Sequence, residues 1–151
     1  MLVNNREFHR KYQSIEEYEA GIVLRGGEVK SVKAGNIRLD TAYVKIFEDG
    51  AWLINADVPV YRFSRPTEYN PLRKRKLLLN KKEIERLQIK VQSAKGLTII
   101  PLSCYNKGRH VKLNIALARG RGDIEKKNRE KKVTMARNEE RDMKEYMKYD
   151  E

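Results

Sequence analysis

The clearest hydrophobic pattern runs from His110 to Leu117, where Val111, Leu113, Ile115 and Leu117 alternate with His110, Lys112, Asn114 and Ala116. Period two is the signature of a strand with one buried face, and it turns Lys112 and Asn114 outward. Ala42 to Phe47 repeats the pattern, with Val44 and Ile46 on one face and Tyr43, Lys45 and Phe47 on the other. Glu48-Asp49-Gly50 supplies turn chemistry, and Ala51 to Asp57 returns through Trp52, Leu53 and Ile54, so a hairpin is predicted. Leu97 to Tyr105 is a further apolar strand in which Pro101 marks an edge or a bulge, and Asn106-Lys107-Gly108 turns it into the strand that follows.

Elsewhere the period changes. Ile22, Val23 and Leu24 suit a buried strand that Gly26-Gly27 ends in a turn. Val29 and Val32 then lie three apart on one face of a short helix, Lys30 and Lys33 share another, and Gly35 stops it. Asn80 caps a second helix with Glu83 three residues on, a stripe of Ile84, Leu87, Val91 and Ala94, and Gly96 after it. Asn70-Pro71 also reads as a helix start, since Asn caps and Pro tolerates the first helical position. Ser14 with Glu17 resembles a capping pair, which predicts a single helical turn before a strand at Glu19. Residues 1 to 13 form a polar arm punctuated by Phe8 and Tyr12. Between Pro59 and Pro66 the chain loosens; Tyr61 and Tyr69 read either as stacking surface for bases or as packing, and Phe63 as packing. Strands interrupted by short helices predict a mainly β fold with helices, a small closed antiparallel β-barrel of oligonucleotide-binding type.

Charge changes what this scaffold is for. The 151 residues carry 33 Lys plus Arg against 21 Asp plus Glu, a formal net charge of +12. Such a surplus repels itself unless a polyanion uses it, which points to nucleic acid or an anionic membrane. Residues 1 to 118 hold 22 basic and 12 acidic side chains, a surplus of ten, whereas residues 119 to 151 hold 11 and 9, a surplus of only two. The folded part is thus the polycation, residues 1–122 reading as a barrel domain for a polyanionic partner and 123–151 as a charged tail. Within the barrel, Arg73, Lys74, Arg75 and Lys76 with Lys81 and Lys82 form a run of six cations without an acid, held between apolar anchors in the geometry that grips a phosphate backbone.

Catalytic and metal patterns do not assemble. His9, His110 and the single Cys104 have no zinc-type spacing, and Cys104 in an apolar strand reads as core. No phosphate-cradling glycine loop or nucleophile elbow occurs, and the pairs Glu16/Glu17 and Glu139/Glu140 are adjacent on polar segments. No cofactor is called for. No apolar run reaches about 18 residues, so no spanning helix is predicted, the N-terminus lacks an apolar signal core, and one cysteine suits a reducing cytoplasm.

Several motifs occur together in order: Glu-Ala-Gly-Ile-Val-Leu from Glu19, Gly-Glu-Val-Lys-Ser-Val-Lys-Ala-Gly to Gly35, Pro-Leu-Arg-Lys-Arg-Lys-Leu-Leu-Leu-Asn from Pro71, Gly-Leu-Thr-Ile-Ile-Pro-Leu from Gly96, and Leu-Ala-Arg-Gly to Gly120. Over residues 4 to 122 the chain closely resembles the SsrA-binding protein, or small protein B, family of bacterial trans-translation. That resemblance implies an oligonucleotide-binding-like barrel with added helices. It implies a monomeric adaptor that binds the tRNA-like domain of transfer-messenger RNA and enters stalled ribosomes with it, so that the nascent chain is tagged and the ribosome freed. The family's RNA-binding face falls on Asn5, Glu19, Leu78 and Lys112. Chemically, Lys112 neutralises phosphate, Asn5 donates to phosphate or a base edge, and Leu78 packs on a sugar or an unstacked base. Glu19, which repels phosphate, accepts from a base or a 2′-hydroxyl, or orients Lys112.

The tail departs from the family pattern. Arg119-Gly120-Arg121-Gly122 runs straight into Asp123-Ile124-Glu125, so the basic Asp-Lys-Arg element that usually follows is shortened or missing. The resemblance implies a tail disordered when free and helical in the mRNA path and decoding centre, with Arg119, Arg121, Lys126, Lys127, Arg129, Lys131 and Lys132 facing rRNA phosphate. Composition alone equally permits a basic structural protein of the ribosome; a hydrolytic enzyme on RNA lacks a catalytic set.

Overall fold

The computed structural model describes residues 1–61 and 69–122. In chain order the elements are β1 (Leu2–Asn4), α1 (Phe8–Lys11), β2 (Tyr12–Ile22), α2 (Gly26–Lys33), β3 (Tyr43–Phe47), β4 (Gly50–Ile54), β5 (Arg75–Leu78), α3 (Lys81–Ser93), β6 (Leu97–Lys107) and β7 (His110–Gly120). Among the described residues every strand pairing is antiparallel. The order β6-β3-β4-β5-β2-β7 closes on itself through β6–β7, and β1 pairs with Ser103–Tyr105 of β6 on the edge away from β7, beyond the point where β3 meets it at Ile99. Closure removes the free edges that a strongly cationic sheet would otherwise expose.

The expected alternations hold where both faces have a distinct environment. In β7, Val111, Leu113, Ile115 and Leu117 enter the core with Val44, Leu53, Leu77 and Ala20. Ala116 and Ala118, on the opposite face, are also buried, because Phe8 of α1 and Ile100 close over them. Their small side chains leave room for that ring. Pro101 does mark a bulge: the β6–β7 register shifts between Pro101 and Ser103. The β6–β7 turn is tighter than expected, with Asn106 and Lys107 still paired and only Gly108 (φ 63°) and Arg109 between the strands.

Three local expectations are corrected. Ser14 and Glu17 do not start a helical turn; they lie inside the eleven-residue β2, paired with Ala118 and Ala116, with a register shift between Ser14 and Glu16. Asn70-Pro71 starts no helix either, since the chain turns there and Arg75–Leu78 is extended, with Arg75 and Leu77 inward and Lys76 and Leu78 outward. The Asn70 side chain accepts from the Leu72 amide, which closes a turn. Period two in Arg-Lys-Leu-Leu outweighed the cap. Finally, Gly26 and Gly27 are the first residues of α2 instead of a preceding turn.

The real punctuation is at Gly35. With φ of 83° it donates its amide to Val32, while Asn36 donates to Ser31, the paired bonds that end a helix on a left-handed residue. The face α2 buries is Glu28, Ser31 and Val32, spaced at i, i+3 and i+4. α3 starts after Asn80 as expected, although no hydrogen bond from the Asn80 side chain caps it. It buries Leu87, with Val91 packed at the core margin. Glu16 of β2 ties it down by accepting from Lys90, with Arg86 at 3.6 Å.

Candidate nucleic-acid interface

Two cross-strand rows build the outer surface where β2, β6 and β7 meet. One row runs Leu2, Tyr105, Lys112, Gly21 and Leu78, crossing β1, β6, β7, β2 and β5. The next, two residues along each strand, runs Asn4, Ser103, Asn114 and Glu19. Positions two apart share a face, so Glu19, Lys112, Asn114 and Leu78 emerge on one continuous patch. Gly21 is the floor between Lys112 and Leu78. A Cβ there would come within 3.2 Å of the Leu78 Cβ, so its absence lets Leu78 lie across β2, 57% exposed.

Around this floor the charges are arranged, not scattered. The Tyr105 hydroxyl donates to one oxygen of Glu19, and the Lys107 ammonium donates to the other at 3.0 Å. Those two bonds, Tyr105 first, hold the Glu19 carboxyl below its ordinary pKa, with the charge of Lys112 adding to the effect. Glu19 therefore stays ionised and oriented. Lys112 acts on it through charge, while the bonds that fix it come from β6. Burial, and then the bond to Glu19, push the Tyr105 phenol up to about 12. Among the described residues no carboxylate lies within salt-bridge range of Lys112, which leaves its ammonium available to phosphate.

A half-exposed apolar side chain, an ionised and oriented acceptor and an available cation on a barrel wall can meet a sugar, a hydroxyl or base edge, and a phosphate together. The family profile described as SmpB protein matches residues 2–145. The chain belongs to the SmpB family. The SsrA-binding protein of Aquifex aeolicus is 44% identical over 144 residues, covering 95% of this chain and 91% of the relative. That of Persephonella marina is 43% identical over 137 residues, covering 91% and 90%. A solved chain described under "tmRNA-SmpB: a journey to the center of the bacterial ribosome" superposes with a TM-score of 0.66 at 39% identity, covering 79% of this chain and 83% of that one. The closed antiparallel barrel found here is thus the family's fold.

The remaining candidate residues sort by what holds them. Asn5 sits beside the patch but is buried: its side-chain amide donates to the Pro101 carbonyl at 2.9 Å and its oxygen accepts from the Glu7 amide. It fastens the N-terminal segment over the β6 bulge, which corrects the expectation of a freely donating amide. Arg75 is a larger correction. It is fully buried, and its guanidinium donates five hydrogen bonds, to the Glu28 carboxylate, the Ala56, Arg73 and Pro71 carbonyls and the Tyr69 hydroxyl. Arg73 is partly buried with its guanidinium on the other Glu28 oxygen at 2.5 Å. Neither Arg75 nor that end of Arg73 is offered to a phosphate backbone. Lys76 is outward on the same face of β5 as Leu78, and Lys74 is exposed with its ammonium 4.8 Å from the centre of the Trp52 ring.

Lys30 and Lys33 lie on the exposed side of α2, Lys30 over the Tyr61 ring at 5.4 Å. Tyr69 packs, its hydroxyl donating to the Val58 carbonyl at 2.6 Å. Arg119 belongs to β7, paired with Gln13 and Leu97, so it is a residue of the barrel wall instead of a tail. Arg121 is exposed and donates to the His9 carbonyl. Phe63, Lys126, Lys127, Arg129, Lys131 and Lys132 lie outside the described residues. Cys104 is core, its thiol pushed up to about 12 by burial.

Sequence reasoning passed over Tyr105, Lys107 and Glu28. Tyr105 and Lys107 share the outward face of β6 with Ser103 at spacing two, a signal readable once the β6–β7 register is known. Glu28 gave no such signal, because a carboxylate inside an apolar helical face makes sense only with Arg75 beneath it.

Proposed function

We propose that the chain is an RNA-binding adaptor of trans-translation, which binds the tRNA-like domain of transfer-messenger RNA and accompanies it into stalled ribosomes. The carrying observation is the patch itself: Lys112, Asn114, Glu19 and Leu78 on one outer surface around Gly21, in a chain of the SmpB family. Lys112 contacts phosphate, and Asn114 beside it donates to phosphate or base. Leu78 covers a sugar or an unstacked base. Glu19, fixed by Tyr105 and Lys107, accepts from a 2′-hydroxyl or a base amine, which favours RNA over DNA. Lys30, Lys33 and Lys76 add long-range attraction, and the 123–151 tail, with its basic residues from Lys126 to Lys132, is the part assigned to rRNA. No residue is given a catalytic role, and an RNA partner inside ribosomes supports a cytoplasmic site of action.

The test is binding of the full chain to an isolated tRNA-like domain, comparing Lys112→Glu with Lys95→Glu on an exposed site beyond α3. Lys112→Glu weakens binding roughly tenfold or more, because it removes a close charge partner and adds a repulsive one. Lys95→Glu changes it by much less. Equal losses in the two variants, or wild-type protein that retains bulk rRNA with no preference for the tRNA-like RNA, would overturn the assignment.

A further inference from the structure

The outer face of β3, β4 and β5 carries a second grouping of cations and rings, beyond Leu78 from Lys112. Lys45, Trp52 and Lys76 stand opposite one another across the three strands. Phe47, two residues from Lys45 on the same face, pairs with Gly50, which has no side chain to cover the ring. Lys76 reaches over that gap, its Cε 3.7 Å from where a Gly50 Cβ would stand. The Lys74 ammonium lies 4.8 Å from the Trp52 centroid and 5.4 Å from that of Phe47, and the Lys45 ammonium lies 5.4 Å from Phe47. Trp52 donates its Nε1–H to Asp49 at 2.9 Å, which fixes the edge of the indole.

We propose that Phe47 and Trp52, ringed by Lys45, Lys74 and Lys76, bind a short unpaired segment of RNA, with bases on the rings and phosphates on the ammonium groups. The inference rests on the reading of the chain as RNA-binding but uses none of the residues around Gly21. Single-stranded sites combine stacking platforms with cations that track the backbone, and every base has a face to offer, so such a site tolerates many sequences. A duplex suits it poorly, because its bases are already stacked. Lys74 is the moving part: a base arriving on Trp52 displaces a surface cation–π contact, and the freed ammonium turns to the adjoining phosphate. Glu48 and Asp49 bound the platform at the hairpin turn, so the RNA runs from the rings toward Lys76 and not over the turn.

Trp52 is the chain's single tryptophan, so its fluorescence reports this site alone. The full-length protein is titrated with an oligouridylate about ten nucleotides long, within the usual span of such sites. Saturable quenching is expected, with Kd raised about fivefold or more by Lys74→Glu and by Phe47→Ala and left within about twofold by Lys112→Glu. Circular dichroism confirms that the variants fold. Heparin, a polyanion without bases, competes for the lysines but does not quench as the oligonucleotide does. Absence of quenching, equal quenching by heparin, or loss of quenching only in Lys112→Glu would overturn the second site. Binding of the tRNA-like domain by the wild-type protein, measured in parallel, separates the two readings: binding of that RNA with no quenching by the oligouridylate refutes the platform alone, whereas quenching by the oligouridylate with no binding of the tRNA-like domain refutes the assignment of the Gly21 patch alone.

Discussion

Two clusters in this molecule use the same ingredients, a glutamate with two cations or hydroxyls, and put them to opposite uses. Around Glu28 the ions are sealed: Glu28 is 2% exposed, Arg75 is fully buried, and every guanidinium N–H of Arg75 has an acceptor. Around Glu19 they are open, with Tyr105 and Lys107 holding the carboxylate at the surface beside Lys112. The first arrangement joins α2 to β5 and the turn after Tyr69. The second leaves groups with capacity to spare for a ligand. Charge type does not distinguish a binding residue from a structural one; what distinguishes them is whether the acceptors and donors are already used up.

The contrast breaks most visibly at Glu28. Glu28→Ala leaves two guanidinium groups facing each other without their carboxylate, and removing one partner of a buried ion pair costs about 3–5 kcal/mol. The expected result is a large drop in the urea midpoint, with RNA affinity preserved under conditions where the variant remains folded. Acid does the same thing gradually. Burial acts to raise the Glu28 pKa, but the bonds from Arg73, the Arg25 amide and Arg75 outweigh it and leave the pKa below its ordinary value. A group depressed in the folded state contributes stability above its unfolded pKa, about 4.3 for Glu, and that contribution disappears as pH falls through the lower, folded value. The stability gap between wild type and Glu28→Gln should therefore be constant from neutrality down to that region and narrow below it. Denaturation midpoints measured across the acid range check this, and a gap independent of pH would show that Glu28 is not the titrating group.

How much of this the chain disclosed beforehand depends on the kind of signal. The strand β7 was legible because Val111, Leu113, Ile115 and Leu117 obey one period without interruption. Lys112 and Asn114 were placed on the outer surface for that reason alone. β5 was not legible, since Asn70-Pro71 imitates a helix start and Arg73 to Lys76 imitates a solvated run, while the fact that buries Arg75 sits 47 residues away in Glu28. Local pattern reads exposure well only when no distant partner cancels a charge. The motifs around Glu19 and Leu78 carried the family resemblance, but the function of Gly21 as the floor between them required the pairing of β2 with both β5 and β7.

Gly21 is accordingly the next place to press. Its backbone is ordinary, so an alanine fits conformationally, but its Cβ at 3.2 Å from the Leu78 Cβ forces one of the two strands or the leucine to give way. Crowding of this kind costs about 1 kcal/mol or somewhat more. Gly21→Ala should weaken binding of the tRNA-like RNA several-fold while leaving the fold intact, and Leu78→Gly in the same background, which removes the opposing Cβ, should relieve the crowding but not restore the affinity. Affinity lost in proportion to stability alone would mean that the floor has no role in recognition.

The mildest change sharpens the open cluster most. Tyr105→Phe removes one hydroxyl from a solvated carboxylate, so its effect on folding stays at or below about 1 kcal/mol. Its effect on Glu19 is more specific, because the Tyr105 bond is the foremost cause of that residue's lowered pKa, ahead of Lys107. In the variant the Glu19 carboxyl should titrate at higher pH than in the wild type, as followed by side-chain carbonyl NMR, while Glu28 is unmoved. If Glu19 is held for recognition, the variant also loses RNA affinity several-fold at neutral pH, where Glu19 is ionised in both proteins and only its orientation differs. Loss of orientation without loss of charge is a change a merely electrostatic role would not register. An unchanged affinity would assign Tyr105 to the wall of the barrel and leave Lys112 and Leu78 to carry the contact.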